Sequence, residues 1–79
     1  MLHNYRTDIV AIKKIMVEKG LSKICNLSKA ANVDRNTLGK VLSGKIQPSS
    51  RVMERLVVAL EIPPEKAGEI FFNRDLHIA

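Results

Sequence analysis

The sequence predicts an all-α fold of five short helices, and three observations carry that prediction. Apolar residues recur at intervals of three and four through successive segments, the period of a helix buried on one face. Each segment is bounded by residues that stop or start helices: Gly20, Asn32, Gly44, Pro48, Pro63 and Pro64. No stretch of any length alternates apolar and polar residues as a half-buried strand would. The chain has 79 residues, of which 46% are hydrophobic, which suits a folded globule and argues against disorder. That length suits one domain over 1–79, with a helical core over 6–71 and a tail over 72–79.

The first helix is expected from about Arg6 to Lys19. Ile9, Ile12, Ile15 and Met16 define its core stripe, Thr7 or Asp8 is its cap, and Gly20 supplies the left-handed residue that ends it. The second helix ends at Ala31, with Leu27, Ala30 and Ala31 on its inner face. Its start is open between two caps: Ser22 has the better chemistry and Lys23 the better length. Asn32 stands at the turn in place of the usual Gly, since Asn tolerates the left-handed conformation. The third helix starts after Asp34, whose carboxylate can accept from the N–H of Thr37. Leu38, Val41 and Leu42 point inward, and Gly44 stops it. Ser49, after Pro48, caps the fourth helix, whose stripe is Val52, Met53, Leu56, Val57 and Leu60; Ile62 follows as an apolar plug. Pro64 takes the first position of a fifth helix that reaches about Phe71. The remaining residues show no period.

Net charge is +5, and all of it lies in one segment. Residues 21–51 hold six basic side chains, Lys23, Lys29, Arg35, Lys40, Lys45 and Arg51, against one acid, Asp34. The rest of the chain carries seven of each sign and cancels. Such a segment suits a polyanionic partner; the competing reading is a solvated basic surface. Cys25 is the one cysteine, so no internal disulfide is available, and it has no His or Cys at ligand spacing. His3 and His77 lie near the termini and read as surface imidazoles. The Ser43-Gly44-Lys45 run lacks the rest of a phosphate-binding loop. Neither catalysis, a metal nor a cofactor is expected. With no charged-then-apolar leader and no apolar run of membrane length, the chain reads as a soluble cytoplasmic protein with no membrane partner.

Two short helices joined by a tight turn, with Val33 plugging the turn, describe a helix-turn-helix. Residues 27–45, LSKAANVDRNTLGKVLSGK, followed by PSSRVMERLVVALEI, resemble the Cro- and lambda-repressor-type (XRE-like) helix-turn-helix domains. The resemblance spans roughly residues 6–71. It rests on Leu27, Ala31, the Asn32-Val33 turn, Leu38, the Gly44-Lys45 ending and the Pro48-Ser49 start, in that order. It implies a compact five-helix lambda-repressor-like domain that binds double-stranded DNA, usually as a homodimer on a palindromic operator, with no cofactor. That would make the chain a small repressor or Cro-like regulator of a bacterium, phage or mobile element, associated with the nucleoid. By the same resemblance the third helix is the recognition helix. Arg35, Asn36, Thr37 and Lys40 fall where the family contacts bases and nearby phosphates, and Lys23 and Lys45 where it contacts the backbone. Lys29, Ser28 and Ser43 are further phosphate candidates, although either serine could instead cap or solvate. Two residues depart from the pattern. Ile24 stands where the family often has a polar phosphate contact, and Gly39 lies inside the recognition helix, where it costs about 1 kcal/mol relative to Ala.

The chemistry of the third helix points the same way. Positions 36 and 40 share a face. An Asn amide can pair with adenine N6 and N7, and Lys or Arg with guanine O6 and N7. A helix N-terminus also favours phosphate. The opposed reading is a protein-interaction module on the same fold, an antirepressor or antitoxin-like partner. Ile24 favours it and the cationic segment disfavours it. A last expectation concerns the tail. Val10 and Val17 form a second apolar strip off the first helix's core stripe, while Phe71, Phe72, Leu76 and Ile78 lack partners in a bare five-helix core. The tail is expected to pack on the outer face of the first helix or on a second subunit.

Overall fold

The computed structural model describes residues 6–73. Its five helices are α1 (Ile9–Glu18), α2 (Ile24–Ala31), α3 (Arg35–Leu42), α4 (Ser50–Leu60) and α5 (Pro64–Phe71). α2 packs on α3 and on α4, while α5 packs on α1 and α4. Their inner faces meet in one core built around Ile12, Leu27, Leu38, Leu56, Leu60 and Phe71.

The helices start on local chemistry. The Asp8 carboxylate accepts from Ala11 N–H at 3.1 Å, that of Asp34 from Thr37 N–H at 3.1 Å, and Ser49 Oγ from Val52 N–H at 3.3 Å. These bonds satisfy N–H groups that have no partner inside the helix. Lys23 precedes α2 and gives it no side-chain cap.

Four helices also end alike. Gly20, Asn32, Gly44 and Glu61 have φ of 72°, 55°, 81° and 54°. In each case the next N–H returns to the carbonyl five positions earlier. Leu21 bonds Met16 at 2.7 Å, Val33 bonds Ser28 at 3.1 Å, Lys45 bonds Lys40 at 2.9 Å and Ile62 bonds Val57 at 3.0 Å. This closure uses up orphan carbonyls and turns the chain back toward the core. Val33 and Ile62 are buried as a result, the plugs the sequence led one to expect.

Several expectations are corrected. α1 begins at Ile9 rather than near Arg6, because the Arg6 backbone is committed elsewhere. Its N–H donates to the Asn73 carbonyl at 3.1 Å, and its carbonyl accepts from Asn73 N–H at 3.0 Å, an isolated antiparallel bridge. Of the two cap candidates Asp8 caps, while Thr7 is buried and its hydroxyl donates to Gln47 Oε1 at 3.0 Å. Ala30 is exposed rather than on the inner face of α2, because Leu27 and Ala31, one turn apart, already fill the inward direction. Val52, Met53 and Val57 sit only partly buried at the edge of the core. Phe71 does not lack a partner: it is 1% exposed and among the largest fully buried side chains, because it ends a helix packed on both α1 and α4. Phe72 is half exposed, and Val10 and Val17 are open at 78% and 67%. Leu76 and Ile78, and with them most of the tail, lie outside the described residues.

Candidate nucleic-acid interface

α3 is fixed from behind and open in front. Leu38, Val41 and Leu42 are buried, which points the opposite side of the helix outward. The turn before it is held from two directions. Ser28 Oγ donates to the Val33 carbonyl across the turn. From α4, Arg55 Nη1 donates to the Asn32 carbonyl at 3.3 Å. The angle between α2 and α3 is therefore set by side chains as well as by the left-handed Asn32.

On the open side, Arg35, Asn36 and Lys40 are exposed and Thr37 is half-buried. Asn36 and Lys40 lie one turn apart on one face. Among the described residues no hydrogen bond or ion pair engages the side chains of Arg35, Asn36 or Lys40. The remaining predicted cations surround them. Lys23 stands at the uncapped start of α2, Lys29 in its last turn, and Lys45 just beyond α3. Arg51 lies in the first turn of α4. All are exposed.

The electrostatics follow from what these groups lack. The one ion pair among the described residues is Lys19–Glu61 at 2.7 Å, outside the basic segment. There the Lys19 hydrogen bond, aided by its charge, holds the Glu61 carboxyl below the usual carboxylate range. Asp34, the segment's single acid, is occupied in capping α3. The six cations of residues 21–51 thus keep their charge unneutralised by ion pairing within the described chain. Such a surface raises the local concentration of polyanions and is screened by salt.

The two serines differ. Ser28 is half-buried and donates to the Val33 carbonyl across the turn. Ser43 is exposed and donates to the Lys40 carbonyl at 3.1 Å. Nothing in the sequence singles out Arg55 or Gln47. Their partners lie 23 to 40 positions away, and no local pattern marks such a pairing.

An open groove runs along one flank of α3, lined by Met16, Val17, Ile24, Gly39 and Leu42, with Lys13 among its polar lining. A polar hollow beside the turn is lined by Asn32, Asp34, Arg35 and Asn36. Among the described residues there is no group of three or more His, Cys, Asp or Glu side chains that could hold a metal ion. Cys25 is a half-buried free thiol. No helix among the described residues is long and apolar enough to cross a membrane.

A family model described as helix-turn-helix matches residues 12–66, more than two-thirds of the chain. No curated protein matches the chain. The matched span contains most of α1, the whole of α2 to α4 and the start of α5. The family is one of DNA-binding transcription regulators and is not usually enzymatic. With the turn geometry, the outward third helix and this match in agreement, the chain belongs to the Cro- and lambda-repressor-type, XRE-like helix-turn-helix family.

Proposed function

We propose that the protein is a sequence-specific repressor of the Cro-like kind, which lays α3 in the major groove and occupies a palindromic operator as a homodimer. One observation carries this reading: the open face of α3 coincides with the unneutralised basic segment. Asn36 and Lys40 supply base readout, Arg35 and Thr37 reach a base or a nearby phosphate, and Lys23, Lys29, Lys45 and Ser43 engage the backbone. Phosphate contacts fix register and supply most of the affinity, while the amide and ammonium on α3 choose the sequence. The setting is the cytoplasm of a bacterium or of a phage host.

The test starts with selection of bound sites from a random duplex library, followed by affinity against salt. Each phosphate neutralised contributes a slope of about −0.9 in log K against log salt. Changing Lys23, Lys29 or Lys45 to Ala should lower that slope alike on all sequences. An affinity that stays flat from low to moderate salt would remove the phosphate assignments and the reading with them. A second reading has its own observation. Ile24 is 38% exposed at the mouth of an apolar groove, which suits a protein partner such as an antirepressor. That reading requires a partner complex that weakens on Ile24→Ser while DNA profiles stay unchanged.

A further inference from the structure

Gly39 occupies the middle of α3, and neither usual internal reason for a helical glycine applies to it. The glycines with positive φ are Gly20 and Gly44, so the Gly39 backbone has no need of the left-handed region. A Cβ built on Gly39 would meet no atom within 4 Å, so no neighbour within the chain requires its absence. Glycine here weakens the helix and relieves nothing inside the described structure.

Openness alone assigns no role, because Gly68 in α5 is open in the same sense. What separates Gly39 is its surroundings. It follows Arg35 by one turn and adjoins Lys40, on the flank of the outward face. It also lines the apolar groove, with Ile24, the first residue of α2, in the same lining. The two helices of the motif therefore border a notch that is backbone at Gly39 and hydrocarbon at Ile24, with Lys13, Ser22 and Ser43 in the same lining. An ordinary side chain would hold a neighbouring macromolecule off the helix; at Gly39 the backbone itself can be touched.

Resting on the DNA reading above, we infer that Gly39 is the point of closest approach between α3 and the duplex. The edge of one strand seats in the notch between Gly39 and Ile24, with deoxyribose carbons against the hydrocarbon, while Arg35, Asn36 and Lys40 reach the bases. Gly39 and Ile24 offer no side-chain donor, so the sugar carbons meet them, while the phosphates flanking that sugar fall to Lys13, Ser22 and Ser43 of the same lining. Ile24, which departs from the family's polar habit, becomes one wall of a sugar seat.

The experiment compares the parent with Gly39→Ala, Gly39→Leu and Gly68→Ala. Each is melted and titrated with the parent's selected site and with a scrambled duplex of equal length. Both alanine variants should raise the melting temperature by about 4–8 °C, since both replace a helical glycine. Gly39→Ala should nevertheless bind the selected site about tenfold more weakly, and Gly39→Leu more weakly still, because close-packed interfaces tolerate added volume poorly. The salt slope should not change, as no charge is removed. Gly68→Ala should bind like the parent. Parental affinity in Gly39→Ala, or an equal loss in Gly39→Ala and Gly68→Ala, overturns the inference and leaves the DNA reading standing. A parent with no salt-dependent duplex binding overturns both.

Discussion

At Gln47 a single amide joins three parts of the chain. Its oxygen accepts from the Thr7 hydroxyl at the start of the fold, and its nitrogen donates to the Phe71 carbonyl at the end of α5. Gln47 itself lies in the connection between α3 and α4. Gln47→Ala leaves the buried Thr7 hydroxyl and the Phe71 carbonyl without these partners, which should cost about 1–3 kcal/mol. Urea unfolding should register that loss. Gln47→Glu should lose stability too, because a carboxylate cannot donate to Phe71. On the proposed DNA reading, the single-residue effects on α3 concern sequence rather than stability. Removing one good bidentate contact costs about 1–3 kcal/mol against the right base and little against the wrong ones. Asn36→Ala should relax preference at one base pair per half-site and spare nonspecific affinity, whereas Lys40→Ala should lose both. Competition against single-base operator variants at fixed salt separates them, and an unchanged profile for Asn36→Ala would remove it from the readout. The caps at Asp34 and Ser49 are legible in the sequence because donor and acceptor lie three residues apart. The roles of Gln47 and Arg55 are not, because they depend on which distant segment folding brings alongside.

At the scale of elements, the left-handed helix ends carry most of the architecture, and Glu61 is the least expected of them. It holds φ 54° without being Gly or Asn, and its side chain reaches Lys19 at 2.7 Å. A side chain in that region is disfavoured relative to glycine. Glu61→Gly should therefore stabilise the domain by up to about 1 kcal/mol, since an exposed ion pair contributes little. A lower melting temperature would show that the Lys19 contact outweighs the backbone relief. The same pair sets a sign for acid. Because the folded-state carboxyl titrates below its ordinary value of 4.5, its contribution is present above that value and fades as pH falls through the lower one. The parent should thus lose slightly more stability than Glu61→Gln as pH falls below 4.5. Helix number, order and most boundaries are legible in the sequence, since periods, caps and stops are local signals. The start of α1 is not, because Arg6 pairs with Asn73 across nearly the whole fold. Nor is the place of Phe71, which is buried because α5 folds back onto α1 and α4.

Across the whole molecule, charge and shape divide the labour. The basic segment and the outward helix can be read in the sequence, because both are properties of contiguous residues. The notch between Gly39 and Ile24 cannot, since it exists only once α2 and α3 are set against each other. The seam between Arg6 and Asn73 has a topological consequence. The described backbone is all but a ring, broken at one place. Residues that exchange both backbone bonds in an antiparallel pair have Cα atoms about 5.5 Å apart, within the span a disulfide bridges. Arg6→Cys with Asn73→Cys, in a Cys25→Ser background, would close a loop of roughly 70 residues and stabilise the fold by about 4 kcal/mol. The gain should appear as a higher thermal midpoint that reductant abolishes; an unchanged midpoint in the oxidised protein would mean the seam is not kept in solution. A covalent circle of this kind has no fixed beginning. It could be reopened in another connection, and α3 would still face outward from the same core.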